Sequence, residues 1–145
     1  MEPWRTLREV YPVLRWRWTR SLTRFHMRFS EFRVLERCAR TPSKAAEIAR
    51  AIGITPAGAT DLIHRLERQH LVARVRHPSD RRAVLIRLTP TGRRRYRAVQ
   101  DSARALVEEL HGSMTPKERR ALTVGLAGLA RALRTKPVRP ARGSA

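Results

Sequence analysis

Cysteine is almost missing from this chain. A single Cys38 in 145 residues excludes an intramolecular disulfide and any cysteine-rich zinc site. Long apolar runs are missing as well. The longest uncharged stretches, residues 51–60 and 121–130, are ten residues each, half of the roughly 20 needed to cross a bilayer. Acidic residues are scarce: 12 Asp and Glu against 32 Lys and Arg leave a formal net charge of +20. That imbalance excludes an evenly mixed ionic surface and points to a polyanionic partner. Lysine is rare too, with only Lys44, Lys117 and Lys136, so 29 of the basic residues are arginine. Arginine is the side chain suited to bidentate phosphate contacts and narrow minor grooves. Catalytic signatures are lacking: there is no G-x-x-x-x-G-K-[ST], no G-x-S-x-G, no H-E-x-x-H and no paired-cysteine motif. His26, His64, His70, His77 and His111 show no i, i+4 ligand spacing. Neither an enzyme, nor a metal site, nor a cofactor is expected. Glu2, Arg5, Arg8 and Glu9 stand where a secretory leader would carry its apolar core. The expectation is a soluble, cytoplasmic, nucleoid-associated protein without a membrane partner.

What the chain does have is 41% apolar residues, enough for one core, and charge concentrated in one place. Residues 71–97 carry +8, against +5 for 1–29, +2 for 30–70, +2 for 98–134 and +3 for the remaining tail. Such a concentration is the footprint expected of a polyanion-binding segment.

Helix starts are marked by Thr-Pro at Thr55-Pro56, Thr89-Pro90 and Thr115-Pro116. Threonine caps free backbone N–H groups, and proline is tolerated at the first helical position. Glu118 completes a capping box at the third site. Ser30 and Ser43 are read as caps of two further helices, with Glu31 favourable to the first one's dipole. Tyr11, Leu14, Trp18, Leu22 and Phe25 form one helical stripe, with Val13 and Trp16 on the other side. This first helix should bury two faces, the second against a partner subunit. Pro12 suggests that it begins there, with residues 1–11 as a separate lead-in.

Short helices are expected over residues 30–39, 44–52 and 56–69, with Gly53 stopping the middle one. Two short helices joined by a tight glycine turn have the form of a helix-turn-helix. In the later helix Ala59, Leu62, Ile63 and Leu66 make the buried stripe, with Ala57, Asp61, His64 and Arg68 opposite and Thr60 at the flank. Residues 71–76 and 83–88 then read as a β-hairpin whose tip is His77-Pro78-Ser79-Asp80-Arg81-Arg82. Helix, turn, helix and basic hairpin is the order of a winged helix. Two more helices follow; the last sets Leu122, Leu126, Leu129 and Leu133 beside Gly125 and Gly128. Glycines inside a helix cost roughly 1 kcal/mol each, a cost that close approach of another helix would offset.

These residues resemble the MarR family of bacterial and archaeal transcription regulators. The resemblance runs from Phe32-Arg33-Val34-Leu35 through Ala46-Glu47-Ile48-Ala49 and the segment Thr55-Pro56-Ala57-Gly58-Ala59-Thr60-Asp61-Leu62-Ile63-His64-Arg65-Leu66-Glu67. It continues through Asp80-Arg81-Arg82-Ala83-Val84 to Leu88-Thr89-Pro90-Thr91-Gly92. It implies a mainly α fold with a small β-hairpin wing and terminal dimerisation helices. The organisation would be an N-terminal dimerisation helix (1–29), a winged helix-turn-helix (30–89), C-terminal dimerisation helices (90–134) and a flexible basic tail (135–145). The implied function is a homodimeric regulator, a repressor released by a small-molecule effector, reading an inverted-repeat operator in double-stranded DNA.

Carried over by position, Thr55, Pro56, Ala57, Thr60, Asp61, His64 and Arg65 would form the recognition helix, and His77, Ser79, Asp80, Arg81 and Arg82 the wing contact, Asp80 orienting one guanidinium. Tyr11, Trp16, Trp18 and His26 are candidate effector-pocket residues, and Cys38, on the stripe of Leu35, is read as a core cysteine. Two departures stand out: His26-Met27-Arg28 replaces the frequent Gly-Leu-Thr, and Pro56, Ala57 and Gly58 replace the usual Arg or Ser. A rival reading is an architectural protein that coats DNA with little sequence preference, favoured by the charge; a third is an RNA-binding winged helix.

Overall fold

A computed structural model describes residues 2–80 and 82–135. Arg81 and the basic tail from residue 136 lie outside the described residues. Six helices and one hairpin follow in the order α1 (Pro3–Thr23), α2 (Phe29–Arg40), α3 (Ala45–Ile52), α4 (Pro56–Arg68), β1 (Val72–Arg76), β2 (Val84–Leu88), α5 (Pro90–Gly112) and α6 (Pro116–Thr135). They form two compact units, residues 1–104 and 105–145.

The first unit owes its core to the apolar stripes of α2 and α4. Val34, Leu35, Ile48, Ala59, Ile63, Leu66 and Val99 have no exposed surface, and Leu22 and Ile86 almost none. Phe32 is the aromatic centre: Trp18 of α1 meets it edge-on at 5.3 Å and Tyr96 of α5 stacks on it at 5.7 Å. Two polar contacts reinforce the junction of α1 and α5. Ser21 and Ser102 share a hydrogen bond of 2.6 Å, and Arg95 Nη1 donates to the Phe25 carbonyl at 2.6 Å.

Three sequence-based expectations are corrected. Helix α1 begins at Pro3, not Pro12, which lies inside it. An internal proline forfeits one hydrogen bond and strains one turn, while Pro3 stands at the start of the helix, where proline is favourable. Helix α2 is capped at Arg28, not Ser30; Glu31 Oε2 accepts from the Arg28 N–H at 2.8 Å. Helix α3 is capped at Lys44, where Glu47 Oε2 accepts from the backbone N–H at 3.0 Å. Ser43 is thereby freed for another task. It is fully buried and bridges to Ile86, donating its N–H to the Ile86 carbonyl at 3.1 Å and accepting at 2.8 Å in return. The two-stranded sheet, paired antiparallel from Val72↔Leu88 to Arg76↔Val84, so gains a short third rung.

The departure at His26-Met27-Arg28 has a physical reading. His26 sits at φ +48°, the left-handed region that favours glycine, while Met27 fills the core. Arg28 occupies the cap position without a side-chain hydrogen bond to the helix. Arg28→Thr should therefore raise unfolding free energy by about 1 kcal/mol, by supplying the missing acceptor; urea denaturation measures it.

Cys38 is 3% exposed and belongs to the core cluster, as its place beside Leu35 implied. Desolvation, only partly opposed by the Arg37 charge, pushes its pKa from the ordinary 9.0 up to about 11. The thiol is thus protonated in the fold near neutral pH and lowers stability only as pH rises above 9, where the unfolded chain ionises first. Treatment with mild peroxide at pH 7.5 should leave the Cys38 thiol unmodified by mass spectrometry, because the reactive thiolate is nearly absent. Rapid oxidation of Cys38 in the folded protein would contradict this.

In the second unit α6 is capped as its Thr-Pro pair predicts. The Thr115 N–H and hydroxyl both donate to Glu118 Oε2 at 2.8 Å, and Thr115 Oγ1 accepts from the Glu118 N–H at 3.3 Å. Within this single chain none of the residues of α6 is buried.

Candidate nucleic-acid interface

Gly53 adopts φ +75° and ends α3, its N–H and that of Ile54 both returning to the Ala49 carbonyl at 3.0 and 3.1 Å. The chain then turns through Ile54 into Thr55, whose Oγ1 accepts from the Gly58 N–H at 3.1 Å and starts α4. A side chain at residue 58 would press its Cβ to 3.1 Å from that hydroxyl, so glycine suits the third helical position. With Ala59, Leu62, Ile63 and Leu66 buried, Pro56, Ala57, Thr60, Asp61, His64 and Arg68 are left facing outward. Thr60 Oγ1 donates back to the Pro56 carbonyl at 3.1 Å. The first turn, Pro56-Ala57-Gly58, carries only small side chains.

Arg65 differs from its neighbours. Its Nε is buried and lies 3.7 Å from Glu31 Oε1, on a carboxylate side chain only 4% exposed. By its place in the sequence Arg65 is expected at the DNA contact; its side chain is one third exposed, while its Nε faces Glu31 and braces α4 against the start of α2. A second acid fastens α4 to the hairpin: Glu67 takes Arg74 Nε on both oxygens at 3.1 and 3.2 Å and lies 3.4 Å from His64 Nδ1. The sequence gives no sign that Glu31 and Glu67 are positioning residues. Only their placement on the inner edges of two helices reveals that role.

The wing loop is held by its own backbone. His77 donates its N–H to the Ala83 carbonyl at 2.9 Å, and Ala83 donates to the Asp80 carbonyl at 3.0 Å. The Ser79 N–H and hydroxyl lie 3.2 and 3.1 Å from His77 Nδ1. Asp80 Oδ1 accepts from the Arg82 backbone N–H at 3.0 Å, shaping an Asx turn. Asp80 therefore orders the loop through the main chain; the guanidinium pairing expected of it involves Arg81, which lies outside the described residues. Ser79, Asp80 and Arg82 are exposed.

At the wing's base, the Leu88-Thr89-x-x-Gly92 pattern becomes a joint. Thr89 donates its hydroxyl to the His70 carbonyl at 2.6 Å and accepts from the Gly92 N–H at 2.9 Å; its own N–H reaches the Leu71 carbonyl at 3.1 Å.

The aromatic candidates do not share one surface. Trp18 packs against Phe32, whereas Trp16 projects from another side of α1, 59% exposed beneath the Arg20 guanidinium, and Tyr11 is 57% exposed. His26 is exposed in the turn after α1.

Residues 27–83, the helix-turn-helix and the hairpin up to the end of its tip, match the MarR family. The HTH-type transcriptional regulator YfiV of Bacillus subtilis is 30% identical over 90 residues, 62% of this chain and 56% of its own length. The chain spans about half the length of the curated relatives it matches. Among solved structures, RV1404 of Mycobacterium tuberculosis superimposes with a TM-score of 0.79 at 26% identity, covering 88% of this chain and 89% of that one. BpsR of Bordetella bronchiseptica, whose DNA binding is regulated by 6-hydroxynicotinic acid, gives 0.67 at 25% identity, covering 89% and 93%. The helix-turn-helix, the braced wing and these likenesses agree: over residues 27–83 the chain matches the MarR family, and its fold is that family's winged helix.

Proposed function

We propose that the protein is a homodimeric transcription regulator that binds an inverted-repeat operator in double-stranded DNA, acting in the cytoplasm as a repressor released by a small-molecule effector. The observation that carries this reading is the outward row Ala57, Thr60, Asp61 and His64 beside a basic wing loop ordered by Asp80. The small face suits close entry to a major groove, where Asp61 is placed to accept from a cytosine amino group. The wing arginines suit phosphate or minor-groove contact. Dimerisation is supported by apolar surface that a monomer would leave in water: Trp4, Tyr11, Val13 and Trp16 on α1, and Val124, Leu126 and Leu133 on α6, are each more than half exposed. A Cβ built on Gly125 meets nothing within 4 Å in the single chain, which leaves that side of α6 open to a second helix. An effector pocket at Tyr11, Trp16, Trp18 and His26, which do not share one surface within a single chain, would need the partner subunit to complete it, and regulation of BpsR by 6-hydroxynicotinic acid supports a small aromatic acid as the class of effector.

The net charge of +20 favours the architectural reading as an alternative. Competition binding with operator-containing duplex, random duplex and RNA at physiological salt decides between them. A specific-to-nonspecific ratio above roughly 10³ supports the regulator, and a lower one the coating protein. Sedimentation as a monomer at micromolar concentration would remove the dimer. In the same binding assay Asp80→Ala should weaken affinity although it removes a negative charge, because the Arg82 N–H loses its acceptor and the loop its shape. Arg82→Ala should flatten the log-affinity against log-salt slope by ~0.9 for each phosphate that the guanidinium no longer neutralises. Tighter binding by Asp80→Ala would show that the wing acts only by charge.

A further inference from the structure

Nine arginines lie between residues 71 and 97, and the fold sorts them by what they touch. Arg74 is committed to Glu67, Arg95 to the Phe25 carbonyl, and Arg82 stands in the wing loop. Arg87, Arg93, Arg94 and Arg97 converge elsewhere. With Leu88 and Pro90 they line an open cleft of about 400 Å³ between β2 and the first two turns of α5. Arg87 reaches it because strand alternation turns Ile86 and Leu88 into the core and the residue between them outward. Arg93 and Arg97 share a helix face at i, i+4, a like-charge spacing that destabilises an isolated helix by a few tenths of a kcal/mol.

Among the described residues no carboxylate offsets that repulsion. Arg94 reaches only the Thr91 hydroxyl, at 3.1 Å, and among the described residues none of the four arginines has a carboxylate partner. Four guanidinium groups around one concavity, without an acid, are poised for an anion from outside the chain. Guanidinium forks match phosphate oxygens two at a time, and the volume lies within the range of ordinary ligand sites, roughly 300–1,000 Å³. The cleft is separate from the wing contact, since the five residues from Arg82 to Arg87 span about 16 Å of extended chain.

We propose that this cleft is a phosphate-binding site for an anion bearing two or more linked phosphates. Two sources supply that chemistry: a free polyphosphate, such as a nucleotide's phosphate chain, or the backbone of DNA flanking the region read by α4 and the wing.

The test titrates inorganic tripolyphosphate into the full chain by calorimetry. It compares the wild type, the double variant Arg93→Gln/Arg97→Gln, and a control, Arg8→Gln/Arg15→Gln, that removes equal charge from exposed positions of α1. The proposal expects saturable binding of one tripolyphosphate per chain, weakened at least tenfold in the cleft variant and less than twofold in the control. No saturable binding below millimolar concentration, or equal weakening in both variants, would overturn it in favour of diffuse charge. The salt dependence of duplex binding then separates the sources. A slope lowered by ~1.8 per chain in the cleft variant supports the DNA backbone, while an unchanged slope with tripolyphosphate binding abolished supports the free anion. Because the titration contains no DNA, its outcome and that of the operator assay are independent.

Discussion

Gly92→Ala is expected to destabilise the protein by about 3 kcal/mol, at the upper end of the range for overpacking. A Cβ built on Gly92 falls 1.9 Å from the Leu71 carbonyl oxygen and 2.8 Å from its carbon, where no atom fits. The obstruction is backbone, so no rotamer change relieves it. Leu71 cannot retreat cheaply either, because its carbonyl accepts from the Thr89 N–H at 3.1 Å and its side chain is in the core. Relief requires α5 to lift from the hairpin base, which breaks the bonds from the Thr89 hydroxyl to the His70 carbonyl and from the Thr89 N–H to the Leu71 carbonyl. Urea denaturation with and without the substitution measures the effect. Thr89→Val, which keeps the shape but removes the hydroxyl that donates to the His70 carbonyl, should lower stability by roughly 2 kcal/mol, because it leaves polar groups of the joint unpaired. A Gly92→Ala protein of wild-type stability would mean that the joint slides freely.

Phe32→Ala should cost about 4 kcal/mol, the scale of emptying an aromatic site in a close-packed interior. Phe32 is 7% exposed and is the ring on which Trp18 and Tyr96 both rest, so removing it creates a void and dissolves two aromatic pairs at once. Helix α1 and the first part of α5 are then without their common anchor on α2. Denaturation followed by tryptophan fluorescence reports the change directly, since Trp18 senses the ring. A destabilisation below about 2 kcal/mol would show that the neighbours collapse into the space.

Much of this architecture is legible in the residues because local chemistry and burial agree. At Thr55, Thr89 and Thr115 a hydroxyl precedes proline and the helix starts where both rules place it. The four buried positions of α4 follow from their spacing, and so does the outward row. Legibility ends where a short polar residue has two possible partners. Ser43 resembles a cap by sequence, yet the main chain of β2 lies beside it, and a bridge to Ile86 satisfies its N–H and carbonyl together. Pro12 looks like a boundary because a single missing hydrogen bond cannot be weighed against a whole helix from sequence alone. Arg65 shares its charge with residues that face outward, but its direction depends on Glu31, 34 positions earlier in the chain. The meaning of Gly92 is equally hidden: it concerns the carbonyl of a residue on the other side of the hairpin.

The Ser43 bridge has a mechanical consequence. The stretch between α2 and α3 is stitched to β2, while Glu67 clamps the far part of α4 to β1. Helix α4 and the base of the hairpin are thus tied to each other, and under the proposed function they would move as one lever. A head of that kind cannot widen its grip to suit a groove of different width. On the proposed DNA, strain would then pass to the duplex, and sequences whose base steps bend cheaply would be preferred even where no side chain touches them.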